Sequence, residues 1–430
     1  MREDWIECTL REVCKIGSSK RILKKEYVSE GIPFYRTKEI KELSLGKEIS
    51  IELYISNEKY NDIKNRFDIP KKGDVLISAV GTIGITYTIK NNDPFYFKDG
   101  NLIWLSDIQG LESTFLNLGL THFVRNSSIL KTSGSAYNAL TIEKLNSLPF
   151  PLPPLVQQKA IVKKIEELFS SLDSGIADLK KAQDQLVIYR QAVLKKAFEG
   201  ELTKTKLKIS VIEDFIHSVE YGTSEKSLNE GDVPVLRMGN MQNGLIDWSD
   251  LKYTSNKSDI QKYILNYGDV LFNRTNSPEH VGKTSIFLSD NKAIFAGYLI
   301  RINYDKEKLS GKYLTYYLNS HKAKIYGNEV KTDGVNQSNI NGTKLKKYPL
   351  PICSLEEQHQ IVQEIESRLS VCDKVEKDIA DSLEKAQALR QSILKKAFEG
   401  TLLSEEEIAK CKADAAYEPA SVLLEKIKSN

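Results

Sequence analysis

Apolar residues recur every seven positions between Gln158 and Gly200, at Ile165, Leu172, Leu179, Leu186 and Val193. The same beat returns between Gln358 and Gly400, at Ile365, Cys372, Ile379, Ala386 and Ile393. Leu168, Ile176, Ala182 and Tyr189 fill the intermediate rows of the first stretch; Leu369, Val375, Ser382 and Leu389 fill those of the second. Five heptads of this kind predict a long helix with a coiled-coil seam. An ordinary surface helix averages only about 11–12 residues and fits the pattern poorly. The two stretches align at a constant offset of 200 without a gap, with 17 of 43 positions identical. The chain therefore carries an internal duplication of very long period.

The ends of both stretches are marked. Pro153-Pro154 precedes the first, and Ser354-Leu355-Glu356-Glu357 is a capping-box pattern before the second. Gly200 and Gly400 stand at C-cap positions behind Lys195-Lys196 and Lys395-Lys396, which suit the negative ends of the helices. Each helix would be roughly 65 Å long at about 1.5 Å per residue. A compact segment of about 150 residues has a radius of gyration near ~15 Å, too small to carry the chain back along a whole helix. If the two seams pack on each other, the helices must run antiparallel, with the intervening segments at opposite ends of a rod.

Residues 1–150 and 201–350 mix short strand-like runs with turns, and they echo each other. Gly268-Asp269-Val270-Leu271 repeats Gly73-Asp74-Val75-Leu76, and Pro234-Val235-Leu236-Arg237 answers Pro33-Phe34-Tyr35-Arg36. Lys331-Thr332-Asp333-Gly334 and Pro349-Leu350-Pro351 lie 200 residues beyond Lys131-Thr132-Ser133-Gly134 and Pro149-Phe150-Pro151. Glycine-punctuated buried strands and short helices (near 111–120 and 142–148) predict a mixed domain in each half. The expected class is α+β: two globular mixed α/β domains, 1–150 and 201–350, separated by two long helices, 151–200 and 351–400. These form an antiparallel coiled coil with internal pseudo-twofold symmetry. A charged tail, 401–430, reads as helical near 404–412 and 420–428, and its composition leaves its role open between docking segment and loose end.

Composition narrows the function. The net charge of +3 excludes a strongly acidic chain that would repel DNA, without proving that one is bound. The five cysteines form no CxxC pair, and Cys372 takes a seam position, so reduced thiols in a cytoplasmic setting are expected. No apolar run reaches the roughly 18 residues of a membrane span, and Met1-Arg2-Glu3-Asp4-Trp5 opens without a signal region. Val281-Gly282-Lys283-Thr284 resembles the end of a phosphate-binding loop, but Ser277 stands where the first glycine is required. Asn92-Asp93-Pro94-Phe95 lacks the second proline of an amino-methyltransferase clamp and reads as a turn. The five histidines are scattered, with no metal-ligand spacing. The sequence argues against catalysis, and no cofactor or metal is expected in this chain.

Two divergent domains, each followed by a repeated long helix, resemble the DNA-specificity subunit of type I restriction–modification systems. The residues that carry the resemblance are Leu148-Pro149-Phe150-Pro151-Leu152-Pro153-Pro154 with Gln158 and Ile161-Val162, and Leu194-Lys195-Lys196-Ala197-Phe198-Glu199-Gly200 with their counterparts. The Gly-Asp-Val-Leu turns and Glu418-Pro419-Ala420-Ser421-Val422-Leu423-Leu424-Glu425 belong to the same pattern. Val156-Gln157-Gln158 departs from it where an acidic residue commonly precedes the glutamine. The resemblance covers essentially the whole chain. It implies that each domain is a target recognition domain reading one half of a split double-stranded DNA sequence. It also implies that the helices set the spacing and bind two methyltransferase subunits. Those partners would carry S-adenosylmethionine, and restriction or motor subunits would carry ATP and Mg. The competing readings are a fused enzyme, which would need motifs that are absent; a coiled-coil scaffold; and the specificity subunit of a modification-only methyltransferase assembly.

For DNA contact in the first domain the residue chemistry favours Arg36, Thr37, Lys38, Gly81, Thr82, Lys131, Ser133, Ser135 and Tyr137. In the second it favours Arg237, Asn240, Asn273, Arg274, Thr275, Asn276, Lys283, Asn336, Gln337 and Asn339. Arginine, asparagine and glutamine make bidentate base contacts, while lysine and backbone amides suit phosphates. Arg36 and Arg237 also fit a structural role, because they recur in both copies whereas specificity residues should differ.

Overall fold

The computed structural model describes residues 2–126, 139–335 and 337–429. Its contacts divide the chain into two units, Met1–Ala177 with Ser382–Asn430, and Asp178–Asp381. The duplicated helices run Leu155–Phe198 and Leu355–Glu399, so each begins in one unit and ends in the other.

In the first unit a four-stranded antiparallel sheet runs Lys15–Gly17, Leu102–Ser106, Val75–Ser78, Thr86–Thr88. A smaller sheet orders Tyr27–Val28, Tyr54–Ile55, Ile32–Tyr35 and Tyr96–Phe97, the last pair parallel. The second unit repeats the first arrangement with Ile216–Tyr221, Leu299–Tyr304, Val270–Asn273 and Thr284–Ile286. It repeats much of the second with Lys252–Thr254, Val233–Leu236 and Ile294–Phe295. In each unit the proline-rich run before a long helix is a strand: Pro149–Leu152 pairs with Ile6–Thr9, and Pro349–Ile352 with Lys208–Val211.

The repeated residues have repeated jobs. Gly73 and Gly268 hold φ of +93° and +91°, which only glycine adopts cheaply. The aspartate that follows caps the turn: Asp74 Oδ2 accepts from the Lys71 amide and from Trp104 Nε1, and Asp269 Oδ2 accepts from the Asn266 amide and from Arg301 Nη1. Trp104 and Arg301 occupy matching places, paired with Leu76 and Leu271 across the sheet. Gln158 is buried, and its Oε1 accepts from the Glu112 amide while its Nε2 donates to the carbonyls of Gly110 and Pro153. Gln358 does the same with the Ser310 amide and the carbonyls of Lys308 and Cys353. Each glutamine thus ties the first turn of a long helix to its own domain. Ser354 and Glu357 form the expected capping box, and Gly200 and Gly400 both adopt φ +80°.

Within each unit the start of one long helix packs with the end of the other. In the first, Ile161 and Ile165 share a core with Ile393, Leu394, Ala397 and Phe398, while Arg390 pairs with Asp173 and lies over the Phe169 ring at 4.7 Å. In the second, Ile361 and Ile365 share a core with Val193, Leu194, Ala197 and Phe198, and Arg190 pairs with Asp373 at 2.6 Å and Glu376 at 2.9 Å. Stepping back along one helix means stepping forward along the other, so the segments are antiparallel in both units. Leu168, Ile176, Ala182, Leu369 and Ser382 are half-buried in the intermediate rows as expected, and three positions differ. Tyr189 is 45% exposed, Leu389 49%, and Val375 also faces solvent. After Leu186 and Ala386 the inward row advances by four residues instead, which brings Arg190 and Arg390 to the carboxylates of the facing helix.

The C-terminal tail is docked. Helices Glu405–Ala413 and Ala420–Ser429 bury Ile408, Cys411 and Ala420 in the first unit, and Leu403 is buried just ahead of them. Ion pairs join Lys164 to Glu407 at 2.9 Å, Arg2 to Glu405 at 3.0 Å and Lys428 to Glu12 at 2.8 Å. Ile408→Ala should therefore destabilise the first unit by about 2–5 kcal/mol, the usual cost of truncating a buried aliphatic side chain. Calorimetry would show a lowered transition for that unit; an unchanged profile would mean the tail is not part of its core.

Candidate nucleic-acid interface

In the first domain Arg36 is the N-cap of helix Thr37–Ser44. Its amide donates to Glu39, and its guanidinium donates to Glu39 at 2.7 Å and Glu52 at 2.8 Å. Lys38 also donates to Glu52, at 2.6 Å, and the hydrogen bonds from Lys38 and then Arg36 hold that carboxyl down to about 2. Both cations are engaged within the domain. Thr37 is attached to the same turn, its hydroxyl buried without a partner. Gly81 and Thr82 are exposed on the loop between Val75–Ser78 and Thr86–Thr88. Ser78 staples that loop, donating to the Thr82 carbonyl and accepting from the Ile85 amide. Lys131, Ser133, Ser135 and Tyr137 lie outside the described residues.

The second domain treats the matching positions differently. Arg237 again caps a short helix, and its guanidinium donates to the Asp250 carbonyl and carboxylate. Asn240 is 2% exposed; it accepts from the Arg237 amide and donates to the carbonyls of Asp247 and Asp250, which makes it a loop clamp. Asn273 takes the strand position that Ser78 holds in the first domain. It is fully buried, and neither polar atom of its side chain has a protein partner.

Beyond Asn273 the loop is longer and forms a ribbon of its own. Thr275–Asn276 pairs with Ser338–Asn339, which pairs with Thr332–Asp333. Asn339 Nδ2 donates to the Thr275 hydroxyl at 2.7 Å, and Asn276 Oδ1 accepts from the Ser277 amide. Arg274 donates to the Gly297 carbonyl and lies over the Tyr221 ring at 4.9 Å. Gln337 is exposed on the same ribbon, and its carbonyl accepts from the Gly334 amide. The Lys283 carbonyl accepts from the Asn273 amide, which sets Lys283 at the return of the loop. Asn336 lies outside the described residues.

The structure thus brings Arg274, Thr275, Asn276, Gln337 and Asn339 onto one ribbon, with Lys283 at its base. It sets Arg237 and Asn240 apart in a separate cap. Arg274 and Lys283 have no carboxylate partner among the described residues. Partly exposed amides, hydroxyls and unneutralised cations on this ribbon can offer hydrogen bonds to base edges and phosphates. Tyr221, 41% exposed beneath the Arg274 guanidinium, was missed in the sequence because its partner lies 53 positions along the chain. No group of histidine, cysteine and carboxylate side chains able to hold a metal occurs among the described residues. No helix there is long and apolar enough to cross a membrane.

The family model described as "Type I restriction modification DNA specificity domain" matches residues 2–181 and again 206–385. The specificity subunit of the type I restriction enzyme EcoKI from Escherichia coli (strain K12) is 30% identical over 71% of this chain and 68% of its own length. The StySPI specificity subunit from Salmonella potsdam is 28% identical over 71% and 69%. Among solved structures, a chain from a study of assembly and conformational transition in a type I R-M system superposes with a TM-score of 0.72 at 18% identity, covering 93% of this chain and 99% of that one. The HsdS subunit from Thermoanaerobacter tengcongensis superposes at 0.57, also at 18% identity, covering 93% and 98%.

Proposed function

The chain belongs to the type I restriction–modification DNA specificity family, and from that premise we propose that it is the non-catalytic subunit that reads a two-part double-stranded DNA target. The observation that supports this reading most is a contrast at one place in a shared framework. The Gly-Asp turns, helix-tying glutamines and arginine caps are duplicated, whereas the loop after the central strand is short and serine-stapled in one unit and a polar ribbon in the other. Two copies of one scaffold carrying different tips suit two different half-sites. Specificity contacts then come from the Gly81-Thr82 loop and the Arg274–Asn276 and Gln337–Asn339 ribbon, while Arg36, Arg237 and Asn240 hold the scaffold. Methyltransferase subunits, two per chain given the duplicated helices, would supply S-adenosylmethionine chemistry. Restriction subunits would supply ATP-driven and Mg-dependent steps.

The test is methyl transfer from labelled S-adenosylmethionine to a random DNA pool. The purified chain alone should give no transfer, and adding methyltransferase subunits should give transfer confined to one bipartite sequence. Transfer by the chain alone, or transfer without sequence preference in the assembled complex, would overturn the reading.

A further inference from the structure

Val281-Gly282-Lys283-Thr284 fails as a nucleotide-binding loop, yet the structure gives Lys283 a different neighbour. It lines a cavity of about 190 Å³ inside the second unit together with Lys324, Ser285, Gln191, Asn319 and Arg190. No carboxylate lines that cavity. Arg190 is neutralised by Asp373 and Glu376 beyond its edge, but Lys283 and Lys324 have no such partner among the described residues. Lys283 is half-buried in this cleft and Lys324 stands exposed at its rim, and partial burial followed by the Lys283 charge pushes the Lys324 ammonium below its ordinary range. Hydrogen-bonding capacity is also left over. Ser285 is 1% exposed and its hydroxyl has no partner, and the Gln191 carbonyl oxygen is likewise buried and unpartnered. Buried polar groups without partners are uncommon in native proteins and call for an explanation.

The first domain shows that the fold does not require these groups. The Asn273 amide donates to the Lys283 carbonyl as the Ser78 amide donates to the Ile85 carbonyl, so Ile85 holds the place of Lys283. Ser285 pairs with Leu271 as Tyr87 pairs with Leu76, so Tyr87 holds the place of Ser285. The scaffold accepts isoleucine and tyrosine here. The second domain instead carries a cation and a hydroxyl, facing a further cation.

We propose that this cavity is a binding site for a phosphate group, held by the Lys283 and Lys324 ammonium groups and the Ser285 hydroxyl. A phosphate would neutralise both lysines and accept from Ser285, and charge-assisted hydrogen bonds of this kind are about twice as strong as neutral ones. Its source is either a free phosphate or phosphomonoester, or a backbone phosphate of bound DNA. The site stands independently of the DNA-reading proposal, because the first measurement contains no DNA.

In that measurement the full chain is titrated with sodium phosphate against sodium chloride at constant ionic strength, followed by calorimetry and thermal shift. Wild type should show saturable binding and a rising Tm. Lys283→Gln and Lys324→Gln should each weaken phosphate by about tenfold or more, the range for hydrogen bonds to charged groups. Ser285→Ala, which leaves the charge unchanged, should also weaken it. Lys306→Gln removes an exposed lysine that does not line the cavity and should leave binding as it was. Absence of saturable binding, or equal phosphate binding by wild type and both cavity-lysine variants, overturns the site.

A second measurement on the assembled complex separates the sources. If the occupant is DNA, phosphate competes with duplex, and each lysine variant weakens every duplex alike and lowers the salt slope by about one. If it is a free anion, duplex affinity is unchanged and phosphate still binds the DNA-loaded complex.

Discussion

Replacing residues 1–150 with the matching segment of a relative of different specificity should change one half of the methylated sequence and leave the other half intact. The physical reason is that the cores are separate. Val75, Ile77, Leu105, Phe115 and Phe150 belong to a cluster drawn from the first unit, whereas Val270, Phe272, Ile300, Tyr313 and Tyr348 belong to one drawn from the second. Changes at sites without shared partners usually add within about 0.3–0.5 kcal/mol, so a new tip on one domain should barely alter what the other reads. The exchange leaves Phe398, Leu403 and Ile408 of the recipient in the first core. A donor segment that keeps aromatic residues at the places of Phe115, Phe123 and Phe150 should therefore express as a stable chain, and one that fills those places with small residues should not. Sequencing of methylated sites decides the matter: alteration of both halves would contradict independent readers.

How far the fold was legible follows from which forces were local. A seven-residue beat, proline before it and glycine after it, are local signals, and the helices fall at Leu155–Phe198 and Leu355–Glu399. The inward arginines were not legible, because whether the second row advances by three or four depends on what the facing helix offers, and Asp173, Asp373 and Glu376 lie far off in sequence. The tail was undecided for the same reason. Ile408 and Cys411 look like any amphipathic spacing until the first domain supplies the surface that buries them. At the candidate interface, Arg36 and Arg237 recur in both copies, and in both their guanidinium groups are engaged by carboxylate or carbonyl partners within the domain. The residue type of Asn240 suits a base contact, and nothing local in the sequence signals that it is buried. Its burial comes from Asp247 and Asp250 closing over it. The gathering of Thr275, Asn276 and Asn339 into one ribbon depends on pairing across more than sixty residues, which no periodicity reports.

Phe198→Ala should destabilise the second unit, although Phe198 ends the helix that follows the first domain. Its ring packs edge-on against Tyr313 at 5.1 Å and Tyr317 at 5.2 Å, and it is 3% exposed in the core that holds Val270, Phe272 and Ile300. Phe398→Ala should do the converse. That ring packs against Phe115 at 5.0 Å and Phe123 at 5.5 Å in the core that holds Val75, Ile77 and Leu105. Each substitution should cost about 3–5 kcal/mol, the range for removing a buried aromatic side chain. That is a large part of the roughly 5–15 kcal/mol that stabilises an ordinary domain. Native-state hydrogen exchange resolves where the loss falls. Phe198→Ala should lower protection in strands Val270–Asn273 and Leu299–Tyr304 while Val75–Ser78 and Leu102–Ser106 keep theirs, and Phe398→Ala should reverse the pattern. In the assembled enzyme each variant, warmed until its weakened unit opens, should lose discrimination at the half-site read by that unit first. If Phe198→Ala instead released the strands of the first domain, the packing order would follow the covalent order, and the exchange of helix ends between the two cores would be wrong.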